Sequence, residues 1–265
     1  MIPQHRPALA LLALCMLGLT GMPSLAHADN EPTGDFTNYV GAGVMRMPGW
    51  IGSDNHRDQL APFIQVTVDK NITLSTSDGL TVDFIHRDGW QGGFYGNYMW
   101  GRSHEDLGPR LAGIVDSLSP RLNAGGYIEY HPNDIVNFGA TLSHDTEGAG
   151  AYLNLYVDSG LPPLWGIEES IQLQWQAMNA PAMRRFFGVT ATQAAQLGTY
   201  AWNPSAGNQQ IELEYDALIP VTRRTAVLLS VDYARLLGDA ADSPLVKRFG
   251  SANQVTTSLG FVYRF

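Results

Sequence analysis

Cysteine and long apolar runs are both scarce in this sequence of 265 residues. The one cysteine, Cys15, lies inside an apolar stretch over residues 8–19, which is too short to cross a bilayer as a helix. Residues 29–265 contain no cysteine, which excludes disulfides, thiolate metal ligands and thiol chemistry there. They also contain no apolar run as long as a transmembrane helix, so they can span a membrane only as strands.

Basic residues are in the minority, with 16 Lys and Arg against 25 Asp and Glu and a net charge of −9. Proteins that bind nucleic acids carry the opposite balance of charge, so no nucleic-acid partner is expected. The sequence also lacks Pro/Ser/Gly-rich linkers and blocks of like charge. It therefore predicts one domain over residues 38–265.

Residues 1–28 have the features of a secretory signal peptide. The apolar stretch described above is followed by Ala26 and Ala28, the small residues that a signal peptidase requires. We expect cleavage before Asp29, export through the Sec pathway and a short N-terminal segment over residues 29–37. The length of the apolar stretch disfavours the alternative, an uncleaved anchor helix.

From residue 35 onwards, apolar and polar residues alternate with a period of two. This period is typical of strands that have a different environment on each face. In a soluble sandwich the apolar face packs inward, whereas in a transmembrane barrel it contacts lipid and the polar face lines the interior. The alternation fits both folds, but the predicted export and the lack of cysteine favour the barrel.

The last strand is a second argument for a barrel. Phe261, Tyr263 and Phe265 share one face, and no polar tail follows Phe265. This pattern matches the terminal signal by which outer-membrane barrels are recognised for assembly. We therefore predict a location in the outer membrane, with its lipids and the barrel assembly machinery as partners.

The predicted fold is all-β: a single antiparallel transmembrane β-barrel with about 12 strands, short periplasmic turns and long extracellular loops. The predicted strands are residues 38–46, 61–68, 71–77, 79–86, 92–102, 122–131, 134–143, 149–158, 166–177, 209–219, 223–236 and 252–265. Ten strands are the alternative, because residues 71–86 can also form one bent strand.

The connections divide into short turns and long loops. Short turns are predicted at residues 69–71, 131–134, 160–163 and 220–223. Long loops are predicted at residues 47–60, 103–121, 178–208 and 237–251. In the third loop, Thr190 as an N-cap and Gly198 as a stop predict a short helix.

Three loop segments resemble the MipA/OmpV family (MltA-interacting protein family) of outer-membrane proteins. The first is residues 48–54, which include Gly52, Ser53 and Asp54, and the second is residues 186–194. The third, residues 237–246, is the most specific and includes Gly238, Asp239, Asp242, Ser243 and Pro244. The order and spacing of the three segments extend the resemblance over residues 38–265.

This resemblance implies an outer-membrane barrel that acts as a structural or scaffold protein. The founding member of the family is described as a link between a lytic transglycosylase and a peptidoglycan synthase, which makes these enzymes the implied partners. Other members are adhesins, antigens or porin-like proteins. The family has no agreed catalytic residues to transfer to this chain.

Residues 143–145 are the strongest candidate for catalytic chemistry. Adjacent residues on a strand point to opposite faces, so Ser143 and His144 do not form a simple nucleophile–base pair, and Asp145 is interpreted as a turn residue. We therefore predict no enzyme, with an envelope lipid hydrolase as the remote alternative. No catalytic, metal or cofactor site is predicted, and a hydrogen-bonded loop is favoured over a calcium site at Asp239 and Asp242.

The polar strand faces predict a charged barrel interior. The residues expected there are Asp83, Glu212, Glu214, Asp216 and Asp232, with Arg224 and Arg264 as counter-charges. If the interior is open, an acidic lining favours a narrow channel for small polar or cationic solutes. If salt bridges and hydrogen bonds fill it, the barrel is plugged, and the sequence leaves both alternatives open.

Overall fold

The computed structural model of the protein describes residues 38–77 and 79–265. The predicted signal peptide, its cleavage site at Ala26, Ala28 and Asp29, and the segment 29–37 lie outside the described residues. The strands of the described part are β1 (Tyr39–Pro48), β2 (His56–Val68), β3 (Ile72–Ser75), β4 (Gly79–Arg87), β5 (Trp90–Met99), β6 (Arg121–Tyr130), β7 (Val136–Asp145), β8 (Ala151–Leu164), β9 (Ile167–Met178), β10 (Gly207–Pro220), β11 (Thr225–Leu236) and β12 (Asn253–Arg264).

These strands form one closed barrel in which each strand pairs antiparallel with its sequence neighbours. The last strand pairs with the first, with Tyr39 opposite Arg264 and Arg46 opposite Thr257. The prediction of a twelve-stranded antiparallel barrel is therefore confirmed, and residues 71–86 contain two strands. Closure gives every one of these strands a hydrogen-bonded neighbour on each side.

The two faces of each strand differ as the alternation predicts. On β12, Leu259 and Phe261 point outward and are 51% and 53% exposed, whereas Ser258 and Val262 point inward and are buried. The outer wall elsewhere presents Val44, Leu60, Phe94, Leu142, Leu173 and Leu213. An apolar outer wall around a polar interior suits a barrel that is surrounded by lipid.

Short and long connections lie at opposite ends of the barrel. At one end, the turn end, the connections are residues 69–71, 88–89, 131–135, 165–166 and 221–224. At the other end, the loop end, they are residues 49–55, 100–120, 146–150, 179–206 and 237–252. The short link between β3 and β4 lies within the wall, where the Thr76 amide donates to the Ile64 carbonyl at 2.9 Å. Because consecutive strands run in opposite directions, successive connections alternate between the two ends of the barrel.

Two predicted boundaries were wrong. β2 begins at His56, earlier than residue 61, because a paired Arg46 and Asp58 continue the β1–β2 ladder beyond the apolar part of the outer wall. β8 continues to Leu164, so the turn predicted at 160–163 lies within the strand. The prolines of that segment fall where the β8–β9 register shifts, so they remove no ladder hydrogen bond.

The long loops contain short helices, which are α1 (His104–Leu111), α2 (Ala180–Phe187), α3 (Ala191–Leu197), α4 (Gly238–Asp242) and α5 (Pro244–Phe249). Among the described residues, no helix is long and apolar enough to cross a membrane. The predicted helix is confirmed as α3, where the Thr190 hydroxyl accepts from the Gln193 amide at 3.2 Å and Gly198 has φ 61°. The other four were not predicted.

The helices pack together at the loop end around one hydrophobic core. We call residues 49–55, 100–120, 179–206 and 237–252 the cap. The buried core residues are Trp50, Leu107, Leu111, Val115, Ala182, Met183, Phe186, Phe187, Val189, Ala194, Ala240, Leu245 and Val246 in the cap, and Met178 and Leu236 at the adjoining strand ends. The cap is therefore a folded layer that is continuous with the barrel wall.

We expect Gly43→Ala to weaken the seam between β1 and β12. A Cβ at Gly43 would overlap the carbonyl oxygen of Leu259, and this backbone clash can be relieved only by moving a strand. Overpacking of this kind costs about 1–3 kcal/mol, so the urea midpoint of the detergent-solubilised protein should fall. In the control Gly207→Ala, the new Cβ meets no described atom within 4 Å. Equal midpoints for the two variants would contradict the prediction.

Candidate functional site

The barrel encloses a cavity of about 900 Å³, which we call the interior chamber. At the loop end its lining includes Met47 and two cap residues, Ile51 and Trp100. At the turn end its lining includes Glu129 and Asp158. The chamber therefore extends from beneath the cap to the turn end of the barrel.

One wall of the chamber combines carboxylates with glutamines. The carboxylates are Glu212, Glu214, Asp216 and Asp232, and the glutamines are Gln172, Gln174, Gln176 and Gln210. They lie side by side because the register places Glu214 opposite both Gln172 on β9 and Asp232 on β11. We call these eight residues the acidic wall.

Amide groups donate hydrogen bonds to the carboxylates of the acidic wall. Gln210 Nε2 lies 2.7 Å from a Glu212 oxygen, and Gln174 Nε2 lies 3.3 Å from a Glu214 oxygen. These donors are neutral amides, so they bind Glu212 and Glu214 without adding positive charge to the wall. The wall therefore favours cations and polar groups over anions in the chamber.

The remaining predicted interior carboxylate, Asp83, lies apart from the acidic wall. It is buried on β4 and accepts hydrogen bonds from the Tyr127 hydroxyl and, at 2.5 Å, from Gln91 Nε2. The register shift between Asp83 and Ile85 accompanies this inward position. The predicted interior carboxylates thus form two separate groups.

The two predicted counter-charges differ in position. Arg264 is buried and donates to Glu168 Oε1 at 2.8 Å. Arg224 does not lie in the interior: it is exposed in the turn before β11 and donates to the Tyr263 hydroxyl at 3.1 Å. The inward position predicted for Arg224 was wrong, because β11 and its alternation of faces begin only at Thr225. Arg224 lies on the outer rim of the barrel.

An apolar cluster inside the turn end was not predicted. Phe63, Leu218, Ala226 and Val262 pack together there and are buried. The Phe63 ring lies against Gly260, where a Cβ would come within 2.5 Å of it. The absence of a side chain at Gly260 therefore makes room for the ring.

Arg102 is a buried charge within the cap that the sequence did not signal. Its guanidinium donates to the carbonyl oxygens of Phe186 at 2.9 Å, Arg185 at 3.3 Å and Asp116 at 3.1 Å. Two of these carbonyls belong to the last turn of α2, where a positive charge is favourable. Burial lowers the pKa of Arg102 to about 10, so the side chain stays protonated at neutral pH.

A second charged cluster ties α2 to the barrel wall. Asp145, which was interpreted as a turn residue, ends β7 with a fully buried side chain. Its carboxylate pairs with Arg185 of α2, accepts from the Tyr152 hydroxyl at 3.2 Å and lies 3.8 Å from Arg121. We call this cluster the Asp145 latch, because it joins the cap to three strands.

The family segment of the first loop contacts the end of the last loop and the start of β12. The Gly52 amide donates to Gln254 Oε1 at 3.0 Å, and Ser53 is buried in a bridge with Gly250. Gly52 has φ 105°, a conformation that favours glycine. Asp54 is exposed beside them. These residues shape the cap and expose little reactive chemistry.

In the last loop, the family residues end one helix and begin the next. The Ser243 hydroxyl donates to the Phe187 carbonyl at 2.7 Å and accepts from the Leu245 amide at 3.2 Å. It thereby joins the end of α2 to the start of α5, where Pro244 is the first residue. Gly238, with φ 49°, begins α4.

The carboxylates that were weighed as a calcium site have separate partners. Asp239 accepts from the Ser205 amide at 2.9 Å and from its hydroxyl at 3.0 Å, whereas Asp242 pairs with Lys247 at 2.7 Å. Contact with Asp242 raises the pKa of Lys247. Within residues 38–77 and 79–265, no group of three or more His, Cys, Asp or Glu side chains is arranged to hold a metal.

The catalytic candidates and the terminal aromatics also have defined positions. Ser143 is buried and lines the chamber, while His144 points outward with Nδ1 2.7 Å from the Asp145 carbonyl oxygen. The two side chains lie on opposite faces of β7 and do not form a nucleophile–base contact. On β12 and at its end, the outward side chains are Phe261, Tyr263 and Phe265.

Comparison with known proteins gives one family and several distant structures. A family model described as "MltA-interacting protein MipA" matches residues 40–265, and no curated protein matches the chain. A NanC porin structure has a TM-score of 0.44 at 8% identity, covering 86% of this chain and 100% of that chain. OmpT of Vibrio cholerae has a TM-score of 0.35 at 7% identity, covering 86% of this chain and 96% of that chain. OprG from Pseudomonas aeruginosa has a TM-score of 0.28 at 8% identity, covering 86% of this chain and 95% of that chain.

We expect Asp145→Asn to loosen the cap. The substitution leaves Arg185 and Arg121 without their carboxylate, and breaking a buried pair in this way costs about 3–5 kcal/mol. Amide hydrogen exchange in α2 should therefore accelerate. The control Asp242→Asn removes an exposed pair, and its exchange should stay close to that of the unmodified protein. Unchanged protection of α2 in Asp145→Asn would show that the latch does not hold the cap.

Proposed function

The chain belongs to the MipA family, and on that premise we propose that it is a scaffold that holds a lytic transglycosylase at the periplasmic face of the outer membrane. It is an outer-membrane β-barrel protein, since a closed antiparallel barrel with an apolar outer wall is the strand architecture that spans this membrane. Barrels of this class have short periplasmic turns and long external loops. We therefore assign the turn end to the periplasm and the cap to the exterior.

The packed cap is the observation that supports a scaffold most. It has its own hydrophobic core and is tied to the wall by the Asp145 latch. A protein built for rapid diffusion through its barrel has no evident use for such a layer above the chamber. A barrel that serves as an anchor gains stability from it.

The family description supports the choice of partner. It names an interaction with MltA, a lytic transglycosylase. Enzymes that act on peptidoglycan work on the periplasmic side, so the turn end is the surface that such a partner reaches. A peptidoglycan synthase is the second partner that the scaffold proposal includes.

Chemical crosslinking of intact cell envelopes tests this proposal. We expect a lytic transglycosylase to co-purify with the protein, and Asp242→Asn, a change on the outer side of the cap, to leave the yield unchanged. The reason is that the proposed contact lies at the opposite end of the barrel. Recovery of no peptidoglycan enzyme would count against the scaffold.

The acidic wall favours a second candidate function, a narrow channel for small polar or cationic solutes. Its four carboxylates line a chamber of about 900 Å³ that reaches the turn end. Passage through the whole barrel would also require a path past the cap.

Planar-bilayer recordings test the channel. We expect cation-selective current steps whose selectivity falls in the double variant Glu212→Gln/Asp232→Asn, because that variant removes charge from the lining. Glu105→Gln, on the exposed face of α1, is the matched control and should behave like the unmodified protein. A flat current trace from correctly folded protein would eliminate the channel.

A further inference from the structure

The β8–β9 hairpin ends in an unusual run of apolar residues at the turn end. Residues 161–165 are Leu-Pro-Pro-Leu-Trp, and all five are exposed. Trp165 is 89% exposed, the largest value for a large hydrophobic residue in the described part of the chain. A hairpin turn usually carries small polar residues, so turn formation alone does not account for this composition.

The backbone at the turn makes the tryptophan more unexpected. Trp165 has φ 53° and Gly166 has φ 79°, and two consecutive residues with positive φ form the turn that favours Asn-Gly. A bulky side chain is strained in this conformation. Trp165 thus occupies a strained position and leaves its indole in the open, a combination that points to function rather than folding.

Neighbouring turns enlarge the apolar surface. Gly160 donates to the Ile135 carbonyl at 2.9 Å, and Gly166 lies beside Pro220. These contacts place the exposed Ile135 and Val221 next to the hairpin. We call Ile135, Leu161, Leu164, Trp165 and Val221 the apolar tip; their exposures run from 38% to 89%.

The apolar tip lies beyond the lipid-facing wall. On β9 the outward positions continue from Leu173 and Ile171 to Glu169, whose carboxylate binds the Tyr215 hydroxyl. A carboxylate on the outer face marks the end of the hydrocarbon layer. β9 extends two residues beyond Glu169, or about 7 Å at about 3.3 Å per residue, and the turn with Trp165 follows on the periplasmic side.

Charged residues of both signs border the apolar tip. Glu169 lies on the outer face of β9, whereas Arg223 and Arg224 lie on the β10–β11 turn. An apolar centre with a polar rim is the arrangement of a protein–protein contact, and tryptophan is enriched among the residues that dominate such contacts. The order of charges favours a protein partner over a lipid surface, because anionic lipid would attract only the basic side.

We propose that the apolar tip is the docking point for the periplasmic protein partner, with Trp165 inserted into an apolar pocket on that partner. The pocket carries basic groups on the side that meets Glu169 and acidic groups on the side that meets Arg223. This inference rests on the proposed scaffold function, which requires a partner at the turn end but does not locate the contact.

Binding of a purified MltA-type lytic transglycosylase to the full barrel in nanodiscs tests the docking point. We expect Trp165→Asn to weaken binding at least tenfold, while the fold is kept because asparagine suits this turn. Trp165→Phe retains an aromatic ring and should recover part of the affinity. The matched control is Lys70→Asn, which introduces asparagine at φ 60° in the β2–β3 turn. This variant should bind normally.

The outcomes separate this inference from the scaffold proposal. If the unmodified protein binds and Trp165→Asn binds equally well, the docking point is wrong and the scaffold stands. If the unmodified protein does not bind, the scaffold fails and the docking point fails with it.

A label on the apolar tip distinguishes a protein partner from the membrane. Cys15 lies in the predicted signal peptide, so a fluorophore on Leu164→Cys is unique in the processed protein. We expect brominated lipid chains to leave its emission unchanged and the transglycosylase to shift it. Strong quenching by the lipid chains would place the tip in the bilayer and overturn the proposal.

Discussion

Closure of the hydrogen-bonded ladder between β1 and β12 is the constraint on which the rest of the structure depends. Hydrocarbon supplies no partners for backbone amides and carbonyls, so a sheet that crosses it must have no free edge. Gly41 and Gly43 on β1 permit the close approach to β12 that closure needs. Once the ladder is closed, each residue faces either the lipid or the interior, and the period-two pattern decides which.

Closure also confines the polar faces of the strands inside the barrel. Neighbouring strands supply hydrogen-bond donors to the carboxylates there: Tyr127 and Gln91 for Asp83, and Gln176 for Glu212. The turn end adds a buried Arg264 on Glu168 and the packed ring of Phe63. The chamber is therefore partly filled and strongly acidic, which is compatible with an anchor and leaves room for a selective channel.

Outside the hydrocarbon layer, the loops must stabilise themselves. The cap does so with its own hydrophobic core and with two arginines. Arg102 joins two cap segments through the last carbonyls of α2, and Arg185 joins the cap to the wall at Asp145. The opposite end has only short turns. The apolar tip on those turns lies outside the buried cluster around Phe63 and stays exposed.

The sequence by itself determined the class and most of the barrel. Its period of two, the interruptions at 69–71 and 131–134 and the cap signals of Thr190 and Gly198 were sufficient for twelve strands, their order and α3, because these features depend on neighbours in the chain. The same period predicted the inward positions of the interior carboxylates. The prediction for Arg224 was wrong because this residue lies in a turn, where side chains do not alternate between two faces. Only the tertiary structure decided the cap, the Asp145 latch and the position of Trp165 at the hairpin tip. The cap and the latch depend on contacts between residues that are distant in the sequence, and the position of Trp165 depends on a register shift at two prolines. Such contacts and shifts leave no local pattern in the sequence.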